Sequence, residues 1–246
     1  MKLVSLNTWM GIVRDPLLDF VRSKKDSDIF CFQEILNGGA EEGTKMWANS
    51  KEVREHNLFS LLQKLLPDHV SFFYPHIGDW TGLAMFVHKD TEVLEEGEFF
   101  VHRSRTDTTG KYTPRNLQFV KIMLGGRPLT VINFHGLWSG GGKGDNEERI
   151  DQSSKIVEFI QGLGSDCVIC GDFNLEPETQ SLRMIENMGL RNLIKENNIS
   201  STRTSFYTKP QKFADYTFVS YGVRVKKFEV LPVEVSDHSP MFLEFD

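Results

Sequence analysis

The sequence has few cysteines, no long apolar run and no low-complexity segment. Cys31, Cys167 and Cys170 lie in apolar stretches and are too few for the disulfide framework of a small secreted protein. No apolar run approaches the roughly 18 residues that a membrane-spanning helix needs. Met1 leads directly into a strand-like segment rather than a signal sequence. The sequence therefore predicts a cytoplasmic protein in a reducing compartment, with no transmembrane segment.

The charged residues give no overall positive excess. Lys and Arg total 28 against 34 Asp and Glu, which leaves a net charge of −6. A protein whose whole surface binds a polyanion such as duplex DNA is normally basic, so the net charge argues against this class and any nucleic-acid contact should be local. The candidate anion patch is the window 102–127, where a single acid accompanies Arg103, Arg105, Lys111, Arg115, Lys121 and Arg127.

Cys167 and Cys170 have the C-x-x-C spacing of redox and zinc sites, but they fall within the apolar segment DCVICGDF. Residues three apart on a strand point to opposite faces. No second cysteine pair is present to complete a zinc site. We therefore predict that both cysteines pack in the core.

The pattern of apolar residues predicts a mixed α/β fold. About ten short apolar or alternating runs indicate strands, and helical periodicity covers 16–25, 53–66, 146–163 and 178–187. Hairpin-like neighbours, such as the runs around GGRP, favour mixed rather than parallel sheets. This many strands implies two stacked sheets with helices outside. No linker or repeat divides the chain, so we predict one domain over residues 1–246.

Polar residues stand at the ends of several predicted strands. Any one of them would ordinarily cap a turn, but stacked sheets bring several strand ends to one edge, where functional residues gather. Carboxylate and amide oxygens suit Mg²⁺ or Mn²⁺, and imidazoles suit proton transfer. No H-E-x-x-H motif is present, which disfavours a zinc hydrolase. The strand-end set comprises Asn7, Glu34, His135, Asp172, Asn174, Asp215, Asp237 and His238.

These residues occur in short motifs whose order and spacing resemble those of the endonuclease/exonuclease/phosphatase superfamily of metal-dependent phosphoesterases, the DNase I-like enzymes. The resemblance runs from residue 7 to 240, and it rests on six motifs together because each motif alone is short. It implies a four-layer α/β sandwich with two central mixed β-sheets. The motifs are LNTW, FQE, NFHG, GDFN, ADYTFVS and SDHSP.

The resemblance implies a Mg²⁺ or Mn²⁺ site. Glu34 would be the principal ligand, and Asn7 and Asp237 would complete or support the site. The cation, with imidazole and amide donors, would stabilise the charge that develops on a phosphodiester under in-line attack.

The resemblance also implies five catalytic residues. Asp172 would orient and deprotonate the attacking water, and Asn174 would hold the water or a phosphate oxygen. Asp215 would fix the tautomer of His238, which then faces the scissile phosphate. His135 would stabilise or protonate the leaving oxygen.

Three residues are candidate substrate contacts. Arg115 and Asn116 lie where relatives place a phosphate-contacting residue, and Arg115 could bind phosphate through two hydrogen bonds. Trp138 lies in the glycine-rich loop 136–145 and could stack on a base or sugar. After the loop, Arg149 and Gln152 match the R-x-x-Q of many relatives and should support the site.

The chemistry is better determined than the substrate. We predict a nuclease or phosphodiesterase acting on DNA or RNA, as a monomer without a protein partner. A hydrolase of a lipid headgroup, like a sphingomyelinase, or of a small phosphoester is the alternative. An inactive binding protein is disfavoured because every acid, amide and histidine of the set is present.

Overall fold

The computed structural model describes residues 1–41, 45, 51–107, 110–140 and 142–246. The strands are β1 (Lys2–Asn7), β2 (Ile29–Leu36), β3 (His69–Ile77), β4 (Thr81–His88), β5 (Val93–His102), β6 (Arg115–Leu124), β7 (Arg127–His135), β8 (Asp166–Asp172), β9 (Leu190–Asn192), β10 (Asp215–Ser220), β11 (Val225–Val230) and β12 (Met241–Phe245). The helices are α1 (Arg14–Ser23), α2 (Leu58–Leu65), α3 (Glu147–Gly162), α4 (Gln180–Glu186) and α5 (Leu193–Glu196). Within the described ranges, no helix is long and apolar enough to cross a membrane.

The strands form two six-stranded mixed sheets. Sheet A has the order β11-β12-β1-β2-β4-β3, and sheet B has the order β5-β6-β7-β8-β10-β9. The pairs β1–β2 and β7–β8 are parallel, and the remaining pairs are antiparallel. Helices α1 and α2 cover the outer face of sheet A, and α3, α4 and α5 pack against sheet B. The predicted four-layer α/β sandwich is confirmed.

The structure departs from the predicted elements in several places. The strands β5 and β9 were not predicted, because β5 carries the polar run Glu95–Glu98 on a sheet edge and β9 is only three residues long. The helix predicted over 53–66 begins only at Leu58. The short helix α5 was also missed. The missed strands and α5 are too short or too polar for periodicity to reveal them.

Buried amide side chains connect the two sheets through the apolar interior. Gln33 of sheet A donates to the Oδ1 of Asn133 in sheet B at 2.7 Å. Asn133 in turn donates to the Oε1 of Gln118 at 3.2 Å, and Gln118 donates to the Phe72 carbonyl at 3.0 Å. Because buried amides must find partners, this network links the sheets at defined positions.

The three cysteines are buried and free. Cys167 and Cys170 lie on β8 within the core, as predicted. Burial raises the pKa of the Cys167 thiol to about 11, so it stays protonated at neutral pH. The C-x-x-C spacing thus reflects core packing.

Candidate active site

The register of the strands brings the predicted residues to one edge of the sandwich. His135 ends β7 and lies beside Asp172, which ends the parallel strand β8. Asp215 begins β10 and lies opposite Asp172 on the other side of β8. In sheet A, Asn7 ends β1 beside β2, which carries Glu34. The carboxyl ends of the two parallel pairs therefore supply most of the site.

Asn7 joins the contributions of the two sheets. Its Nδ2 donates to Glu34 Oε1 at 3.1 Å and to Asp172 Oδ2 at 3.0 Å. Its Oδ1 accepts from the backbone N–H of Trp9 at 3.0 Å. In this orientation Asn7 positions two carboxylates, and its role as a metal ligand stays a prediction.

Glu34 occupies an irregular position in β2. Its φ of 57° lies in the left-handed region, and the pairing of β2 with β4 shifts between Phe32 and Ile35. Such a bulge re-aims a side chain towards a site. Burial, aided by the charge of Asp237, raises the pKa of the Glu34 carboxyl. A hard divalent cation fits here, since it would compensate two neighbouring carboxylates.

His238 and Asp215 form a buried, oriented pair. The Nδ1 of His238 lies 2.8 and 2.9 Å from the two carboxylate oxygens of Asp215. Burial alone would lower the pKa of His238, but Asp215 and the neighbouring acids raise it above its usual value. Nε2 lies 3.6 Å from Asp172 Oδ2 and 3.7 Å from Asp237 Oδ1. The pairing thus directs Nε2 towards the other acids.

Asp172 lies at the centre of the cluster. Burial would raise the pKa of its carboxyl, yet the charges of His238, Lys143 and Arg203 hold it well below the usual range. Asp172 therefore stays ionised at neutral pH. Its Oδ1 accepts from the Asn174 N–H at 2.8 Å, in a turn where Asn174 has a φ of 55°.

His135 is held in its neutral form. Burial and the nearby Arg115 push its pKa well below the usual value. Its Nε2 lies 3.6 Å from Asp172 Oδ2 and 3.9 Å from Glu34 Oε1. A neutral imidazole can donate a hydrogen bond to a leaving oxygen, whereas protonation of that oxygen would need the cationic form.

The three candidate substrate contacts differ in their surroundings. Arg115 is buried, donating to the Gly136 carbonyl at 3.0 Å and contacting His76 Nε2 at 2.9 Å. Burial lowers its pKa to about 10, so it remains a cation beside the acids. Asn116 donates to Glu98 at 2.7 Å, which is outside the cluster. Trp138 is 59% exposed in the glycine-rich loop.

The window 102–127 does not form the predicted anion patch. Arg103 pairs with Asp107, and Arg105 contacts Glu98. Arg115 is buried, while Arg127 lies at the opposite end of the β6–β7 hairpin. At about 3.3 Å per residue, a strand of this length separates its two ends by about 30 Å. Residues 108–109 of the window lie outside the described residues.

Two cations at the site were not predicted as site residues. The Nη1 of Arg203 contacts Asp237 at 3.1 Å and His238 Nε2 at 2.5 Å. The Nζ of Lys143 donates to Asn174 Oδ1 at 3.1 Å. Lys143 lies in the glycine-rich loop 136–145, whereas Arg203 adjoins no predicted strand and no pattern in the sequence marks it.

The glycine-rich loop is anchored from several directions, with residue 141 outside the described part of the chain. Gly136 passes so close to Phe173 that a Cβ would lie 2.3 Å from its carbonyl oxygen. Arg149 donates to the carbonyls of Leu137 and Gly142, and Gln152 accepts from the Leu137 N–H. The supporting role predicted for Arg149 and Gln152 therefore consists in holding this loop.

Asp145 connects the loop to the start of α4. Its carboxylate accepts from the N–H groups of Gln180 and Ser181 and from the Ser181 hydroxyl. Burial would raise the pKa of Asp145, but these hydrogen bonds outweigh it and lower the pKa. Asp145 thus caps a helix that has no cap from its own Thr179 side chain.

We expect Asp145→Ala to lower the free energy of unfolding by about 1 kcal/mol at pH 7, the usual effect of losing a cap. Because the folded pKa is depressed, the carboxylate stabilises the fold above its unfolded pKa of about 4. That contribution is lost as the pH falls through the folded pKa. Urea denaturation at pH 7 and pH 3 measures the difference, with Asp145→Asn as a partly capped control. An equal gap between wild type and Asp145→Ala at both pH values would contradict this account.

Comparison with known families identifies one match. The model of the Endonuclease/Exonuclease/phosphatase family matches residues 4–238. Among curated protein sequences, none matches the chain significantly. The family match covers every residue of the strand-end set.

Solved structures share the fold at low sequence identity. A functionally unknown conserved protein from Enterococcus faecalis has a TM-score of 0.77 and 17% identity, with 100% of this chain and 99% of that chain covered. A mannosyl-6-phosphatase from Bacteroides thetaiotaomicron has a TM-score of 0.73 and 18% identity, covering 100% and 99%. TDP2 from D. rerio, complexed with a single-strand DNA product, has a TM-score of 0.68 and 15% identity, covering 100% and 98%.

Proposed function

Because the chain belongs to the endonuclease/exonuclease/phosphatase family, we propose that it is a divalent-metal-dependent hydrolase of phosphoric esters. The observation that carries the proposal is the buried cluster in which Asn7 links Glu34 of one sheet to Asp172 of the other, with His238 close by. Carboxylates for a hard cation and oriented imidazoles thereby lie within one space.

We assign the cation to Glu34 and Asp237, with Asn7 in support. Three further ligand atoms, from Asp172, Asp215 and His238, lie within 4.8 Å of one another. His238 and Asp215 already pair with each other, whereas Glu34 and Asp237 are neighbouring carboxylates whose charges repel, which favours these two as the ligands. A bound Mg²⁺ or Mn²⁺ would act as a Lewis acid towards a phosphate oxygen.

The residues of the chain have complementary roles in hydrolysis. Ionised Asp172 aligns the attacking water by accepting its hydrogen bond and would take its proton, while Asn174 holds the water or a phosphate oxygen. Asp215 accepts a hydrogen bond from Nδ1 of His238 and supports the protonated imidazole, whose Nε2–H would stabilise the developing charge on the phosphate. Neutral His135 donates to the leaving oxygen. Arg115 would supply a cation for a phosphate oxygen.

Two classes of substrate are consistent with this reaction. DNA or RNA, the predicted substrate, is favoured by aromatic rings at the edge of the site, on which a base could stack. The side chain of Trp138 is exposed, and the ring centres of Trp9 and Phe206 lie 6.3 Å apart. TDP2 offers a structural parallel with a DNA product. A small phosphoester is favoured by the dispersal of the basic window and paralleled by the mannosyl-6-phosphatase. Asn116 and a lipid-headgroup substrate gain no support from the geometry.

Hydrolysis should stop with EDTA and return with added Mg²⁺ or Mn²⁺. The test uses single- and double-stranded DNA, RNA, nucleotides, sugar phosphates, inositol phosphates and a sphingomyelin-type lipid, with phosphate or new ends as the readout. The Glu34→Gln variant should need at least about tenfold more metal for its half-maximal rate. Loss of a metal ligand, or of a residue that supports one, typically lowers the affinity for the metal by 10- to 100-fold. The exposed Glu158→Gln serves as the control. Chelator-resistant turnover would refute the metal assignment, and inactivity on the whole panel would refute the proposed function.

A further inference from the structure

A small cavity lies among α4, α5 and β10, and its volume is about 200 Å³. Tyr216 of β10 lines it and directly follows Asp215. Neighbouring residues on a strand point to opposite faces, so the cavity and the active site lie on opposite faces of β10. An apolar cavity of about 150 Å³ is large enough to hold benzene, so this one has room for a ring with a small substituent. The apolar part of the lining consists of Leu182, Ile194, Ile199, Phe213 and Tyr216.

The charged residues that line the cavity balance one another. The Nζ of Lys195 lies 3.4 Å from Glu178 Oε1 and 3.7 Å from Glu186 Oε2. Arg183 donates to the Glu178 carbonyl, and Glu186 also accepts from the Asn192 amide at 2.9 Å. The lining thus has two acids and two cations. Because an ion would leave water for a site with no excess of opposite charge, this balance favours an uncharged ligand.

Thr179 brings an unpaired polar group to the lining. It stands at the N-cap of α4, where a threonine hydroxyl normally accepts from a backbone N–H of the first turn. Asp145 accepts from the N–H groups of Gln180 and Ser181 instead. Thr179 is 7% exposed, and its Oγ1 is buried without a hydrogen-bond partner in the described part of the chain. An unpaired buried hydroxyl is unfavourable, and a ligand that hydrogen-bonds to it would remove this cost.

The other buried polar side chains of the lining already have partners. The hydroxyl of Tyr216 donates to the Leu175 carbonyl at 2.9 Å, and burial raises its pKa, so it stays protonated. The Oδ1 of Asn192 accepts from the N–H groups of Ile194 and Lys195. The cavity therefore offers a ligand mainly apolar surface and one hydrogen-bonding group, which is the usual composition of a small-molecule site.

We propose that this cavity binds a neutral aromatic molecule of about the size of phenol, with a single hydroxyl group. Its ring would pack against the aromatic side chains of Phe213 and Tyr216 and the aliphatic side chains beside them. Its hydroxyl would form a hydrogen bond with Thr179 Oγ1. The site is separate from the proposed hydrolysis of phosphoric esters, so either proposal can fail without the other.

Methyl NMR spectroscopy of the full chain tests this site with phenol and toluene, which differ only in a hydroxyl or a methyl group on the same ring. Both compounds should shift the methyl resonances of Leu182, Ile194 and Ile199, but not those of the exposed Leu94. Thr179→Val should weaken phenol binding by about three- to tenfold, the value of one hydrogen bond, and leave toluene binding within about twofold. Because valine replaces an unpaired hydroxyl, the Tm of this variant should not fall.

Leu182→Phe should occupy the cavity and abolish the binding of both compounds. The matched controls are Leu94→Phe, at an exposed leucine of β5, and Thr208→Val, at an exposed threonine, and both should bind phenol as the wild type does. If Leu182→Phe does not fold, Ile199→Phe fills the cavity from its half-buried side. Circular dichroism shows which of the variants are folded.

Three results would overturn the proposal. The first is that millimolar phenol leaves the methyl resonances of the lining unshifted. The second is that a folded Leu182→Phe or Ile199→Phe variant binds phenol as tightly as the wild type, which would place the binding elsewhere. The third is that Thr179→Val loses no affinity for phenol, or loses as much for toluene, since the hydroxyl would then not recognise the ligand.

Discussion

Asp172→Asn is expected to lower kcat by about a thousandfold or more on whichever substrate is turned over, because loss of a proton-accepting group commonly costs 10²- to 10⁴-fold. The neutral amide can still accept from the Asn174 N–H, so the turn should persist. What is lost is the negative charge that Asp172 keeps at neutral pH and that aligns the water. Steady-state kinetics at saturating metal measure the effect.

The matched control is Asp151→Asn on α3, which removes an exposed carboxylate paired with Lys155. It should leave kcat unchanged. Circular dichroism should place the Asp172→Asn variant close to the wild type in structure because the amide is isosteric. Urea denaturation should give a lower free energy of unfolding, since the buried cations around Asp172 lose a countercharge. A variant that retained more than about a tenth of the wild-type rate would remove Asp172 from the catalytic residues.

The second large effect is expected at the His238–Asp215 pair. His238→Ala should lower kcat by about 10³-fold, and Asp215→Asn by about 10²-fold, because the amide no longer fixes the tautomer or supports the charged form. The double variant should be no slower than His238→Ala alone. Groups that act as a unit give such non-additive losses. The four proteins of this cycle are compared at the pH optimum.

Asp215→Asn should also change the pH dependence of the rate. Asp215 raises the pKa of His238, so its removal lets burial lower that pKa. The fraction of cationic His238 therefore falls at a given pH, and the limb of the profile that depends on it moves to lower pH. Additive losses in the cycle, together with an unmoved limb, would show that the two residues act separately.

The site was predictable from the sequence because its residues are tied to strand ends. Four members of the strand-end set, Asn7, His135, Asp172 and Asp215, stand at the ends of strands whose apolar runs are clear in the sequence. Glu34 lies within β2 near its end, and the other three lie in loops close to a strand. Parallel neighbours such as β7 and β8 end together, so His135 and Asp172 meet without further information. The order of the motifs then indicated the family and the four-layer arrangement. The prediction of one domain over the whole chain stays a prediction.

Other features depend on contacts that no local pattern encodes. Arg203 reaches His238 across 35 positions of the chain, from a segment with no regular structure of its own. The basic residues of the window 102–127 do not form one patch for the converse reason. Arg115 and Arg127 are close in sequence but lie at opposite ends of the β6–β7 hairpin. Arg115, at the start of β6, is buried although an arginine would ordinarily be expected to face water. The position of each of these side chains depends on the partners that it meets in the folded chain.

The amide network of Gln33, Asn133 and Gln118 has a consequence for how accurately the enzyme is assembled. Sliding one sheet by a residue, about 3.3 Å, would unpair these amides at about 1–3 kcal/mol for each orphaned group. Glu34 follows Gln33 directly, and His135 lies two residues beyond Asn133. The buried amides therefore fix the alignment of the two sheets, and with it the alignment of the residues that each sheet contributes to the site. Replacing these three amides by leucines would give a more stable protein whose two sheets are less accurately aligned. The stability of this fold and the accuracy of its site therefore depend on different interactions.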